Sequence, residues 1–325
     1  MEPIDAVISW IDGYDAHYQA KLNAFCLKQG ISLRQAIEPT RYQQCNEIYY
    51  CLLSLKYFAP WIRTIYILTN DQIPDAVGKF VNTPFGNKIK IVDQNQLLQQ
   101  FYVTTPIFNS LSAEWLIWHI AGLSNHFLYL NDDFFMIREL TEEDFFRQGR
   151  LVLRGEWKTQ TAAKIQNRFK KWLNIPVDID VHRAWQEKSA TMAGFNRKFY
   201  LLPHAPFPLK KTTAFTYMNQ HEWISNLRYP FRDKNHLSSI PLMTHLDIKA
   251  EQTIEDCRLK TVMINPAHHS ADKIKKRLKK ASENSCVAFV CIQSLDAASV
   301  LMRAHLLSWL DEHIVKKGRH HAVHY

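Results

Sequence analysis

Up to residue 133 the chain alternates short, continuous apolar runs with stretches of helical spacing. Ile4-Asp-Ala-Val-Ile-Ser-Trp-Ile11 reads as a buried strand, closed by the turn pair Asp12-Gly13. Residues 16–29 suit a helix. Asn46 to Phe58 carries apolar residues at helical spacing and stops ahead of Pro60, as a helix should. Thr64-Ile-Tyr-Ile-Leu-Thr69 and Lys88-Ile-Lys-Ile-Val92 are further β-type runs, and Ser110 to Ile120 is helical in pattern. A fourth run, Phe127-Leu-Tyr-Leu, ends abruptly in Asn131, Asp132 and Asp133. Strand–helix alternation at this spacing predicts an α/β fold: a Rossmann-like, mostly parallel sheet covered on both faces, with helical additions.

Beyond Asp133 the rhythm changes. Leu151-Val-Leu153 reads as one more strand, residues 158–173 as a basic amphipathic helix, and residues 213–227 as a helix. Ala297 to Lys317 has the broadest apolar face, formed by Val300, Leu301, Leu306, Leu307, Leu310 and Ile314. Lys273-Ile-Lys-Lys-Arg-Leu-Lys-Lys280 predicts a basic helix with a narrow apolar stripe, because Ile274 and Leu278 fall four apart.

At 325 residues and 46% hydrophobic, the chain can bury a large core, and only 9 glycines and 13 prolines argue against linkers or disorder. No 18-residue apolar run is present, and Met-Glu-Pro-Ile-Asp lacks the features of a signal peptide. Cysteines 26, 45, 51, 257, 286 and 291 show no Cys-x-x-Cys spacing and read as reduced core residues, so a cytoplasmic protein is expected. A net charge of +9 implies an anionic partner: nucleotide, phosphorylated glycan, nucleic acid or membrane surface. Zinc-finger spacing and RNP-like aromatic patterning are missing, which argues against nucleic acid. The histidines of the His320-His321-Ala-Val-His324 tail read as a frayed terminus rather than metal ligands.

The acidic pair carries the chemistry. Two adjacent carboxylates at a strand's end repel one another, and burying both is costly unless a cation or donors offset them. Open α/β sheets bind ligands beyond the carboxyl ends of their strands. A hard divalent ion, Mg²⁺ or Mn²⁺, held by one or two carboxylates and substrate phosphates, fits that position. The alternative is a solvated turn that caps the next helix.

An ordered set of segments resembles one family. Ile4 to Gly13, Arg41…Asn46-Glu47, Ala59-Pro-Trp-Ile-Arg63, Ile65 to Pro74, Pro106-Ile-Phe-Asn-Ser110, Glu114 and Gly122-Leu-Ser124 lead in order to Leu130-Asn-Asp-Asp133. This is similar to the Stealth proteins: bacterial capsule hexose-1-phosphate transferases and the animal N-acetylglucosamine-1-phosphotransferase of lysosomal targeting. The likeness is dense over residues 4–138 and patchier to about 315. It implies a glycosyltransferase-A-like core. It also implies attack by an acceptor hydroxyl on the β-phosphorus of a UDP-sugar, so that sugar-1-phosphate is transferred to a polysaccharide or oligosaccharide and UMP leaves. A single catalytic domain, 1–325, is expected, with a nucleotide-binding core over 1–150 and helical, acceptor-side elements over 151–325.

Under that resemblance Asp132 and Asp133 are the metal ligands, with Asp133 also counted as catalytic. His204, in Leu202-Pro-His-Ala-Pro206, matches a catalytic histidine in a His-x-Pro context and is suited to proton abstraction. Arg232, with Arg228 as the near alternative, matches an arginine-bearing block and would clamp phosphate oxygens. Trp10, Asp12 and Gly13 would hold the nucleotide, core or turn duty being the alternative for Trp10 and for Asp5. Arg41, Asn46 and Glu47 would position the donor or tie loop to sheet.

This chain departs from the family's pattern at several points. Tyr49, Leu53 and His119 stand where arginines are common, and Gln293-Ser294 replaces an Asn-Asp pair, with Asp296 a candidate substitute. A conventional UDP-sugar glycosyltransferase and a decayed, non-catalytic glycan-binding subunit are the competing readings. Capsule biogenesis at the inner face of a bacterial membrane, with peripheral contact through basic segments, is the implied setting.

Overall fold

The structure, a computed structural model, describes residues 2–32, 44–160, 181–233, 235–316 and 318. The four apolar runs of the first half form parallel neighbours: β1 (Ile4–Ser9), β2 (Ile65–Thr69), β3 (Ile89–Asp93) and β4 (His126–Asn131). A fifth strand, β10 (Phe207–Lys210), joins antiparallel at the edge, giving the order β10-β4-β1-β2-β3. All five residues of β2 are buried, as are the first five of β1. That is why these strands read as continuous apolar runs rather than alternating ones. Ser9 lies opposite Asn131, so β1 and β4 end side by side.

The chain does not continue as a strand through the acidic pair. β4 stops at Asn131, Asp132 and Asp133 make a turn, and β5 (Phe134–Met136) enters a second sheet. There it pairs antiparallel with β13 (Val287–Ile292), which runs parallel to β12 (Lys260–Ile264). The acidic turn therefore sits where the chain changes sheets. A third sheet is formed by β6 (Phe146–Arg147), β7 (Arg150–Leu153) and β11 (Thr253–Glu255), and β8 (Glu156–Thr159) pairs with β9 (Lys198–Leu201). Most of these shorter strands carry no long apolar run, and the sequence pattern does not announce them.

Helices α1 (Ala16–Gln29) and α2 (Glu47–Phe58) lie where periodicity places them. Asp15 caps α1 by accepting from the Tyr18 N–H at 2.8 Å, and Gly30 ends it at φ 65°, a left-handed conformation that glycine adopts without strain. Other expectations need correction. Residues 110–120 are not one helix but a single turn, α3 (Ser110–Ala113), and a 3₁₀ segment at Ile117–His119. Fully buried Trp115 and Trp118, with the Trp115 indole donating to the Leu237 carbonyl at 2.8 Å, override the helical pattern. Residues 213–227 likewise split into α5 (Lys211–Met218), which follows α4 (Val181–Met192), and a 3₁₀ segment at Ile224–Arg228. Then come α6 (Ser239–Lys249), the basic α7 (Ala271–Glu283) and α8 (Val300–Leu310), which starts at its Ser299 cap and ends in a π-helical turn over Asp311–Lys316.

Of the basic helix expected over 158–173, residues 158 and 159 belong to β8 and 161–173 lie outside the described residues, as do His320, His321 and His324. All six cysteines are free; Cys26, Cys51 and Cys291 are buried, whereas Cys257 and Cys286 are exposed rather than core. Among the described residues no helix is long and apolar enough to cross a membrane.

Candidate active site

The acidic turn is drawn into the protein from three sides. The Gln44 side chain hydrogen-bonds Asp132, accepts from the Trp10 indole at 3.0 Å and donates to the Ile11 carbonyl at 2.9 Å. The Asp133 carbonyl accepts from the Ile292 N–H at 3.2 Å, and the Cys291 thiol lies 3.6 Å from Asp133 Oδ2. Asp133 Oδ1 is buried without a hydrogen-bond partner. Burial pushes both carboxyls up from the usual carboxylate range; the Asp133 charge adds to this at Asp132, and the Glu47 charge at Asp133. Glu47 itself is buried and accepts from the Cys45 N–H at 2.5 Å. Burial, with the charge of Asp132, pushes its carboxyl up to about 7. Three acidic side chains thus bear on one another through their charges, eased by Gln44, the Cys291 thiol and backbone N–H groups of the turn but not neutralised by a cationic side chain among the causes of their shifts.

His204 is brought to this turn from the second half of the chain. Its ring meets Phe134, the residue after the acidic pair, edge-on at 6.2 Å, and its Nδ1 lies 3.3 Å from the Gln293 side-chain nitrogen. Gln293 directly follows the strand end that hydrogen-bonds Asp133. The three-residue segment Cys291-Ile292-Gln293 therefore touches both the carboxylate pair and the imidazole. The His204 loop is itself held by a hydrogen bond from Ala205 N–H to the Pro203 carbonyl at 3.0 Å.

Arg232 is held by a separate set of contacts. Its guanidinium donates to Ser110 Oγ at 2.9 Å and lies 5.3 Å over the Trp185 ring. The segment Pro106–Ser110 and the start of α3 act as its cradle. Phe108 N–H and the Asn109 side-chain amide both donate to the Pro230 carbonyl, and Ser112 Oγ contacts the Asn226 and Tyr229 carbonyls at 2.8 and 3.0 Å. His236 Nδ1 accepts from the Asp233 N–H, so its proton sits on Nε2, 2.9 Å from Ser112 Oγ. Burial holds that imidazole down at about 4, and it serves as a neutral structural linker. The Arg232 charge bears on Glu114, a buried carboxyl pushed up to about 7 by burial and eased by Arg232, Ser238 and Tyr129. Tyr129 in turn contacts Ser9 at 3.0 Å, which ties Arg232 and Glu114 to the ends of β1 and β4. Arg228, on the neighbouring 3₁₀ segment, is exposed.

The turn after β1 is braced by one side chain. Gln72 accepts from the Asp12 N–H at 3.1 Å and donates to the Asp12 carbonyl at 2.7 Å. The Asp12 carboxylate receives the Tyr14 N–H at 2.9 Å, and Gln19 donates to the Gly13 carbonyl. Trp10 is buried and reaches the acidic turn through Gln44 rather than through an open ring face. Asn46 starts α2 at φ 71°, a left-handed conformation that asparagine tolerates, and is exposed. Arg41 lies outside the described residues.

Gln44, Tyr129 and Cys291 escaped sequence reasoning because no local pattern marks them. Gln293 was noticed only as a departure. The other departures are structural. Leu53 is buried, Tyr49 stacks on Phe80 beneath Lys79, and His119 stacks on Trp223 with centroids 5.0 Å apart. Burial holds the His119 imidazole down at about 4, so an apolar aromatic cluster stands where an arginine was expected. Asp296 exerts its charge on Glu47 and Cys45. Among the described residues, no three His, Cys, Asp or Glu side chains are placed to hold a metal ion by themselves.

Fold and site together define a class: Rossmann-like α/β proteins that gather acidic and basic side chains beyond the carboxyl ends of parallel strands. A family model described as Stealth protein CR2, conserved region 2, matches residues 41–153. Over these residues the chain is similar to the Stealth family. It is 35% identical over 143 residues to a capsular polysaccharide phosphotransferase, LcbA, of Neisseria meningitidis, a match covering 44% of this chain and 37% of that protein. It is 27% identical over 306 residues to the capsular polysaccharide phosphotransferase fcs1 of Haemophilus influenzae, covering 91% of this chain and 79% of that protein. With most of these curated relatives the chain matches well under half of their length. Among solved structures, a galactosyltransferase LgtC in complex with donor and acceptor sugar analogs aligns at 12% identity, TM-score 0.39, over 89% of this chain and 87% of that one.

Proposed function

We propose that this chain transfers sugar-1-phosphate from a UDP-sugar to a hydroxyl of a capsular or surface polysaccharide, forming a phosphodiester and releasing UMP. The observation that carries the reading is the convergence of an under-neutralised acidic pair and a proline-flanked imidazole on one three-residue segment, in a chain similar to the Stealth family. His204 takes the proton of the acceptor hydroxyl; the oxygen bonds to the β-phosphorus, and the bond from that phosphorus to the bridging oxygen breaks with UMP as leaving group. Arg232 steadies the phosphoryl oxygens, held in orientation by Ser110 and by the charge of Glu114. Asp132 and Asp133 hold Mg²⁺ or Mn²⁺, and the unpartnered Asp133 oxygen and the uncompensated acidic charge fit that role. The ion, when bound, neutralises charge on the diphosphate. Residues 1–150 form the donor side, with the Trp10–Gly13 turn and Asn46 toward the nucleotide and Arg41 given the same task by its match to the family's pattern, and residues 151–325 supply the base and the acceptor side.

The exposed lysines of α7, Lys273, Lys275, Lys276, Lys279 and Lys280, face away from its buried Ile274, Leu278 and Ala281. They are the surface for peripheral contact with an anionic membrane. Incubation with a panel of UDP-sugars, Mg²⁺ and candidate glycans tests the reaction. UMP release dependent on acceptor is expected; UDP release would make the chain a conventional glycosyltransferase, and absence of Mg²⁺-linked nucleotide affinity a decayed subunit.

A further inference from the structure

Two buried imidazoles contrast with His204 in what faces their nitrogens. His245 accepts the Tyr200 N–H on Nε2 at 2.9 Å, and its Nδ1 lies 2.6 Å from the Pro241 carbonyl; His236 is pinned by the Asp233 N–H. In both, a backbone group of fixed polarity dictates the tautomer. His204 differs, because its Nδ1 faces the side-chain amide of Gln293. An amide has a donor end and an acceptor end of nearly equal shape, so a half-turn exchanges nitrogen for oxygen at the same place.

We propose that Gln293 is a positioning residue: its amide oxygen accepts from His204 Nδ1–H and so leaves Nε2 as the basic nitrogen. This inference rests on His204 being the base. Were the amide nitrogen to donate instead, Nδ1 would be the acceptor and the ring proton would sit on Nε2, directed at the hydroxyl that must lose a proton. After proton transfer both ring nitrogens carry hydrogen. An amide N–H against Nδ1–H then repels the imidazolium, whereas an amide oxygen accepts a charge-strengthened hydrogen bond from it. The backbone can hold such a partner still. Gln293 N–H donates to the Ile264 carbonyl at 2.9 Å, the preceding Ile292 N–H is committed to the Asp133 carbonyl, and Ser294 turns the chain at φ 53°. Left-handed non-glycine residues of this kind concentrate at functional sites. The Gln-Ser departure from the family's Asn-Asp pattern is, at its first position, a group with its own task.

The test uses the whole chain and four proteins: wild type, Gln293→Leu, Gln293→Glu and His204→Ala. Long-range ¹H–¹⁵N spectra of ¹⁵N-histidine-labelled protein, assigned by the signal missing in His204→Ala, report the tautomer without reference to activity. The Nδ1–H form is expected in wild type and in Gln293→Glu, whose carboxylate can only accept, and a mixed or Nε2–H form in Gln293→Leu. UMP release should fall by about 10- to 100-fold in kcat for Gln293→Leu, at unchanged donor KM, and stay within a few-fold of wild type for Gln293→Glu. Melting temperatures alongside separate a lost fold from a lost tautomer. An Nε2–H tautomer in the wild type, or a Gln293→Glu protein as impaired as Gln293→Leu, overturns the inference. Full turnover in His204→Ala overturns the base assignment itself, whatever the tautomer.

Discussion

Aspartate stands at both ends of the central sheet, and the two ends treat it in opposite ways. At the start of β1, Asp5 receives Arg63 through Nε at 2.9 Å and Nη2 at 2.6 Å, the Ser124 N–H at 2.7 Å and the Thr64 N–H at 3.1 Å. The Asp5 N–H donates to Ser124 Oγ at 3.0 Å, and Arg63 also reaches the Gly122 carbonyl. Every acceptor site that matters is filled, and the group ties three chain segments together. At the end of β4, the turn's own backbone N–H groups, one glutamine and one thiol face Asp132 and Asp133, against the charges of Asp133 and Glu47 and one unpartnered buried oxygen. A saturated carboxylate has nothing left to offer a ligand; an undersupplied one carries a standing cost that a cation and a phosphate-bearing substrate can relieve. Satisfaction of hydrogen bonds separates Asp5, fully buried and saturated, from the half-buried acidic pair.

Substitution at the two ends breaks or sharpens that contrast. Asp133→Asn should lower UMP release by about 10²-fold or more, the scale of a lost metal ligand, with a melting temperature unchanged or raised because a like charge has been removed. Asp5→Ala should do the reverse. Stranding the Ser124 and Thr64 donors and the Arg63 guanidinium costs on the order of 3 kcal/mol in urea unfolding, with turnover per folded molecule unchanged. Equal loss of turnover in both would end the distinction. A smaller effect is expected at Arg232→Lys: about 10-fold in turnover with little change in stability, since an ammonium keeps the charge but loses the two-pronged geometry.

The smallest effect is a pH slope. Burial pushes the Glu114 carboxyl up to about 7 in the folded protein, from an ordinary value of 4.5. Between those values the unfolded chain has released its proton and the native one has not, so stability falls as pH rises through the window and levels off above 7. Glu114→Gln should flatten thermal melts collected from pH 5 to 8; an unchanged slope would place the titration elsewhere.

Several segments whose order marks the family turn out to be braces rather than reacting groups. Arg63 and Gly122-Leu-Ser124 complete the Asp5 knot, Gln72 braces the Asp12 turn, and Pro106–Ser110 cradles the Arg232 loop. The four parallel strands, α1 and α2 were legible because each is specified by its own local pattern of apolar residues, caps and breakers. The acidic pair was legible because two charges ending an apolar run are conspicuous in one dimension. The helices expected over 110–120 and 213–227 failed where buried tryptophans and loop anchors outweighed periodicity.

What the amino-acid sequence determined unaided was the parallel core, with an acidic pair ending its fourth strand and a histidine set among prolines. Only the folded chain decided that β5 leaves for a second sheet at Asp133, that β13 returns there with Cys291 and Gln293, that Gln44 bonds the acidic turn, and that the charge of Glu47 bears on Asp133 and that of Arg232 on Glu114. The reason is physical. Strand and helix formation respond to neighbours a few residues apart, whereas a polar side chain's role is set by which partners remain to satisfy it, and those arrive from 80 to 160 residues away.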